Sequence, residues 1–451
     1  MKKWILIYEK YNIAFKKLFA IVSEYVTVSC IKYSDLKESD VKDANLIYIG
    51  ANPYITFPEG GHRIKVFKEG EKQIIVIVGD GDTNTLYGVV DFKNKYLVKA
   101  ENADTHQPVY YFYKLFQDNM PDYDKIFRAD TKDRGLWTWG YVIYDYRGYI
   151  DNMVNLKLNM LIIWNDCVPL NAKELVDYAH ENGVKVIWGF SWGWGLNCME
   201  TDVTRLDKIK DEVIATYERD YASLGGDGIY FQTFTETSEE KIGNVLIAEA
   251  AVSLVNDIAS EILEKHPGLY IQFGLHATSV KNKLEFIKKV IPEVAVVWED
   301  CGAFPYRYMA KNVSEFDETM GFTKKIRDLR GGGFGVVLKG MTALDWSNFH
   351  HQPGPYIIGE YDRKFVDSKT EEKLPIWKYI QSYWIKNAEY AKKIIDLYDE
   401  NTMVAALVED GCFERYAWYP VALYAEMLWD KSRDVKDILN DTALMKDVKF
   451  A

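Results

Sequence analysis

Cysteine, histidine and positive charge are all sparse in this 451-residue chain, and each shortage excludes something. The five cysteines (Cys30, Cys167, Cys198, Cys301 and Cys412) form no CxxC pair. An odd, scattered set argues against a disulfide framework or a zinc ribbon and fits the reduced thiols of a cytoplasm. The seven histidines are dispersed apart from His350–His351, with no HExxH, so no metal is expected. Lys and Arg number 55 against 67 Asp and Glu, a net charge of −12. Nucleic acids and anionic membrane surfaces need a basic footprint that this balance does not supply. The apolar run in MKKWILIYEKYN stops at Tyr8–Glu9, too short for a signal peptide, and no segment approaches a membrane span. The expectation is a cytoplasmic protein with neither nucleic acid nor membrane as partner. No GxGxxG turn, P-loop or GxSxG elbow is present, so no cofactor is expected either.

Apolar residues make up 48% of the chain, and aromatics are plentiful: 13 Trp, 32 Tyr and 21 Phe. Residues 1–100 alternate strands and helices: strands at 4–9, 27–33 and 45–51, a hairpin over 63–80 turning at Glu69–Gly70, and helices at 15–25 and 83–97. That pattern predicts a small α/β domain, followed by a connector over 101–130. From Asp133 short apolar strands alternate with longer amphipathic helices, the rhythm of parallel β/α units. Strands are expected at 135–139, 160–164, 184–190, 228–234, 269–275, 294–298, 334–338 and 403–408, with helices at 174–182, 247–265 and 283–291. Further helices at 372–398 and 415–440 would close the structure. The fold class read from this is α/β: a (β/α)8 TIM barrel over 131–445 preceded by the small α/β domain.

Barrel sites are built at the carboxyl ends of the strands. Just past those ends stand Trp139, Asp166, Trp194, Glu236, His276, Glu299, Asp300, Asp345, Trp346 and Glu409. Tryptophan faces stack on the C–H faces of sugars while carboxylates hold hydroxyls, and glycosidic cleavage needs a carboxylic acid plus, usually, a second carboxylate. Glu236, in GIYFQTFTETSEE, is the candidate general acid, with Glu299 and Asp300 as candidates for the second catalytic carboxylate and Asp345 behind them.

The segment RGLWTWGYVIYDYRGYIDNMVNLKLNMLIIWND (134–166) resembles the first two barrel strands of glycoside hydrolase family 20, the β-N-acetylhexosaminidases. GDTNTLYGVVDFKNKYL (81–97) is similar to the end of the small domain shared by that family and the family 67 α-glucuronidases. AALVEDGCFERYAWYPVALYAEMLW (405–429) is similar to the hexosaminidases' eighth strand and closing helix. The resemblance implies substrate contacts from Arg134 to ring hydroxyls and from Glu409 to a distal hydroxyl. It also implies a pocket walled by Trp298 and Trp346, with Glu236 as the acid. Trp139, Asp166, Trp194, His276 and Asp345 complete the expected binding set. The chain departs from the family where Thr235 replaces the Asp that orients the substrate acetamide, and where WGFSWGWG (188–195) replaces an acid-rich motif. The function expected is an exo-acting glycoside hydrolase on a β-hexosaminide or related glycoside. The alternatives are a uronic-acid-specific glycosidase, with Arg307 or Lys339 in the pocket, and a non-catalytic carbohydrate-binding barrel.

Overall fold

A computed structural model describes residues 3–98, 115–116, 120–165, 167–193, 205–233, 239–276, 280, 282–300, 316–342, 354–408 and 413–451, the side chains of His276, Asp300 and Thr319 excepted. The N-terminal part is a six-stranded sheet. Its strands are β1 (Lys3–Tyr8), β2 (Val28–Lys32), β3 (Ala44–Ile49), β4 (His62–Glu69), β5 (Lys72–Gly79) and β6 (Tyr123–Phe127), in the order β2-β1-β3-β5-β4-β6. β1, β2, β3 and β5 are parallel. β3 and β5 are almost continuously apolar because both faces of the sheet are covered. α1 (Ile13–Ser23) begins where the Asn12 side chain accepts from the Phe15 amide, a cap that satisfies one orphan donor. α2 (Gly81–Tyr96) follows β5 and packs beside α1.

Some details differ from the expectation, and the helices expected over 372–398 and 415–440 are each divided in two. The predicted connector holds β6, which pairs antiparallel with β4 from His62↔Phe127 to Val66↔Tyr123. YDKIF is a short, charged, largely exposed edge strand, so its sequence carries no apolar alternation strong enough to reveal it. The helix expected over 283–291 is a single turn, Leu284–Ile287.

All eight expected barrel strands form: β7 (Arg134–Trp139), β8 (Met160–Trp164), β9 (Lys185–Gly189), β10 (Gly228–Phe231), β11 (Tyr270–His276), β12 (Val294–Asp300), β13 (Phe334–Leu338) and β14 (Met403–Leu407). They run parallel in sequence order and close when β14 pairs with β7. Between them lie α3 (Tyr146–Asn155), α4 (Ala172–Glu181), α5 (Leu206–Thr216), α6 (Ile247–Lys265) and α7 (Phe316–Arg330). α8 (Arg363–Lys386) and α9 (Ala388–Ile395) precede the last strand, and α10 (Tyr419–Trp429) and α11 (Val435–Leu444) follow it. Alternate strand residues point inward, so the centre is filled by Met160, Ile162, Ile187, Tyr230, Val297, Val337, Met403 and Ala405 and is a packed core, not a pore. The opposite parity packs against the helices.

A run of hydrogen-bonded and ion-paired side chains joins the sheet to the lower, amino-terminal end of the barrel. His62 Nε2 lies 2.9 Å from Asp91 Oδ2, and Asp91 Oδ1 accepts from Lys157 Nζ at 2.7 Å. Lys157 also pairs with Glu426 at 3.1 Å, and Glu426 with Arg433 at 2.9 Å. Burial alone would raise the Asp91 carboxyl, but the Lys157 ammonium and His62 carry it down to about 2. Lys157 holds a left-handed φ of 57°, unusual for a residue with a Cβ, and its ammonium sits 4.4 Å from the centre of the Trp429 ring.

Candidate active site

At the carboxyl end of the barrel the chain turns a buried carboxylate inward. Glu299, on β12, is 5% exposed. Its Oε2 lies 2.7 Å from the ammonium of Lys339, the residue just past β13. Its Oε1 accepts from the Tyr230 hydroxyl of β10 at 2.6 Å and from the side-chain amide of Gln232, just past the same strand. Alternation explains the convergence: Tyr230 and Gln232 share one parity, and the β12 and β13 residues of inward parity are Glu299 and Lys339. Three donors, one of them cationic, favour the ionised carboxylate. Glu299 is thus held in place from two sides of the barrel, by Tyr230 and Gln232 of the β10 end and by Lys339 just past β13.

Aromatic rings pack against Tyr230, the hydroxyl donor to this group. Trp137 and Trp139 of β7 meet edge to face at 4.8 Å between centroids, and Trp137 lies 6.3 Å from Trp164 of β8 in a stacked arrangement. Tyr230 stands edge-on to both Trp137 and Trp164, at 5.9 and 6.2 Å. Glycine makes the room: a Cβ on Gly274 of β11 would fall 2.3 Å from the Tyr230 hydroxyl oxygen and 3.0 Å from Glu299 Oε1. A Cβ on Gly189 would meet Trp164 at 2.9 Å.

The residues predicted from sequence divide three ways. Glu299 and Trp139 are brought to the carboxyl end with their side chains facing the interior. Two others are not, and both expectations require correction. Arg134 is the first residue of β7, at the opposite rim of the barrel. Its guanidinium donates to the carbonyls of Thr131, Lys132 and Lys157 and lies over the rings of Tyr87 and Trp429. A residue that opens a strand cannot reach a mouth formed where the strands end. Trp298 has the outward parity of β12: its indole N–H donates to Thr323 at 3.1 Å and its ring packs on Phe322, both in α7, so it walls no sugar pocket. Asp166, Trp194, Glu236, Asp345, Trp346 and Glu409 lie outside the described residues, as do the side chains of His276 and Asp300. Tyr230, Gln232, Gly274 and Trp137 were missed by sequence reasoning, which looked only past the strand ends. Counting back by twos from the mouth would have found Tyr230 and Trp137. Among the described residues no group of three or more His, Cys, Asp and Glu side chains could hold a metal ion, and none of their helices is long and apolar enough to cross a membrane.

No protein-family model matches the chain, and no curated protein matches it in sequence. Solved structures do match in fold. CpGH84D aligns at TM-score 0.53 with 12% identity, covering 97% of this chain and 68% of that one. CpGH84B aligns at 0.53 with 12% identity, covering 98% and 70%. A GH138 enzyme targeting pectin rhamnogalacturonan II aligns at 0.55 with 11% identity, covering 97% of this chain, which spans about half (52%) of that one. At these identities the likeness is one of fold.

Proposed function

We propose that the chain is a glycoside hydrolase, exo-acting on a β-hexosaminide or a related glycoside, with Glu236 as general acid and Glu299 or Asp300 as the second carboxylate. The observation that carries this reading is the Glu299 carboxylate at the carboxyl end of a closed parallel barrel, bound by Lys339, Tyr230 and Gln232 beside Trp137, Trp139 and Trp164. Sugar chemistry asks for this pairing of a fixed negative charge with aromatic faces, because the oxocarbenium-like transition state is positive and the ring stacks through its C–H bonds. Structural neighbours of glycoside hydrolase type support the same reading. Glu236 stands four residues beyond Gln232 in the sequence, in the segment that follows β10. Thr235 holds the place of the acetamide-orienting Asp, so the reading gives the second carboxylate to Glu299 or Asp300 and requires no N-acetyl group.

A uronate-specific reading loses ground, because the Lys339 ammonium that would bind a substrate carboxylate is already paired with Glu299. The test is a panel of aryl and alkyl monosaccharide glycosides assayed with the intact chain and with Glu236→Gln. Loss of general acid catalysis lowers turnover by about 10²–10⁴-fold, more on alkyl leaving groups than on activated aryl ones. Equal losses on both would assign Glu236 to binding. Sugar binding without turnover across the panel would leave the non-catalytic barrel standing.

A further inference from the structure

A second concavity lies far from the barrel mouth, in the N-terminal sheet. β1, β3 and β5 are adjacent and parallel, and the loops leaving their carboxyl ends part around a cleft of about 220 Å³. From β1 the chain runs through α1 to β2 on one side, then returns across β1 to β3 on the other. The cleft thus sits where the strand order reverses, the place at which open α/β sheets hold ligands. Its lining is chemically mixed. Glu9, Asp80 and Asp82 bring carboxylates, Lys10 an ammonium, and Phe57 a ring that is 51% exposed.

The hydrogen bonding at this cleft leaves capacity for a guest. Asp80 holds the N-cap position of α2, yet its carboxylate accepts from the Gly60 amide at 2.9 Å and caps nothing in its own helix. The first-turn amides of a sixteen-residue helix are thereby left without a side-chain cap at the edge of the cleft. Glu9 uses Oε2 to accept from the Ala51 amide at 3.0 Å, and a carboxylate has further lone pairs to offer. Donors, acceptors and an apolar ring therefore line one small space.

That mixture discriminates between ligand classes. Three carboxylates against one ammonium disfavour an anion such as phosphate or a uronate. The carboxylates do not converge as a metal cage, since no group of three or more among the described residues does. Lys10, 3.0 Å from Asp82, disfavours a cationic amine. A neutral polyhydroxylated ring meets every element, with hydroxyls donating to Glu9 and Asp80 and accepting from the α2 amides, and a C–H face on Phe57. The volume is below the roughly 300–1,000 Å³ of pockets for drug-sized ligands and suits one sugar residue. We propose that this cleft is a second, non-catalytic binding site for a single neutral sugar residue. Thr83, beside it on α2, packs where a Cβ of Gly183 would stand, in the turn leading into β9. The site therefore opens near the amino-terminal end of the barrel, and an occupant there does not compete with one at the Glu299 mouth.

Two measurements on the full chain test this. The first is calorimetric titration with glucose, galactose, xylose and N-acetylglucosamine, and separately with inorganic phosphate and calcium chloride. The second is photolabelling with diazirine derivatives of the same sugars, the attachment sites read by mass spectrometry. At least one neutral sugar is expected to bind in the millimolar range and to label residues within 9–12, 50–60 or 79–85. Phe57→Ala, at a half-exposed position whose loss leaves the fold intact, should weaken binding about tenfold, and Glu9→Gln should weaken it less. Absence of binding by every sugar, labelling confined to other segments, unchanged affinity in Phe57→Ala, or labelling lost to competition by phosphate or calcium would each overturn the proposal. Turnover is not the readout, so failure of the hydrolase reading and failure of this one remain separate results.

Discussion

Gly274→Ala offers a sharp test of the mouth's construction. The new methyl would stand 2.3 Å from the Tyr230 hydroxyl oxygen, 2.7 Å from its Cζ and 3.0 Å from Glu299 Oε1. Tyr230 is fully buried, edge-on to Trp137 and Trp164, so its ring has nowhere to swing. Two losses follow. Overpacking of a filled core costs about 1–3 kcal/mol, and displacing the hydroxyl from a charged acceptor costs about 1.5–3 kcal/mol. Because one movement relieves part of both, the expected loss is about 3–4 kcal/mol, or a fall of ~3–4 °C in Tm if the chain melts in one step. Urea unfolding followed by tryptophan fluorescence reads this directly. The decisive comparison is the double variant with Tyr230→Phe, which removes the nearest clashing atom. Its loss should be smaller than the sum of the single losses by about 1 kcal/mol or more. A Gly274→Ala protein as stable as the parent, or strict additivity in the cycle, would show that the glycine is not what makes room for the Tyr230–Glu299 pair.

Lys339→Met leaves the Glu299 carboxylate buried without its cation and should cost about 3–5 kcal/mol by denaturant titration, with Lys339→Met/Glu299→Gln losing less than the sum of the two single changes. Asp91 sits at about 2 in the fold against an ordinary 3.8, so its contribution is complete above pH ~4 and is lost as pH falls from there toward 2. Asp91→Asn should accordingly flatten the acid limb of a stability-against-pH curve, and an unchanged limb would refute the assignment. Arg134→Lys cannot reproduce the guanidinium's contacts to three carbonyls and two rings and should lower stability by about 2–3 kcal/mol. KM for any substrate found should stay unchanged, whereas a direct sugar contact would raise it.

The barrel was legible because each of its strands is a short run of Val, Ile, Leu and aromatics, buried on both sides and bounded by turns. MLIIW at 160–164 and FGVVL at 334–338 match the structure to the residue. β6 was not, because an exposed edge strand needs no apolar alternation. The site was half legible. Glu299 could be found from its place at a strand end, but its orientation against that of Trp298 depends on strand parity, which resemblance to the hexosaminidases did not supply. Arg134 shows the opposite failure. A motif suggested a ligand contact, while its position at the start of β7 already placed it at the wrong rim. Lys339 was considered, in the uronate alternative, as a cation for a substrate carboxylate, and it has a partner within the protein, a pairing between strands that no local pattern encodes.

The run of side chains from His62 through Asp91, Lys157 and Glu426 to Arg433 makes the two halves of the chain interdependent. Excising residues 3–98 would remove Asp91 and His62 and strand the Lys157 ammonium at the base of the barrel with Glu426 alone, beside a Trp429 ring stripped of His62 and Tyr87. The sheet is thus a foundation rather than an appendage. An attempt to shorten this protein to a minimal barrel would have to redesign the underside first, replacing Lys157, Glu426 and Arg433 together with groups at ease in water.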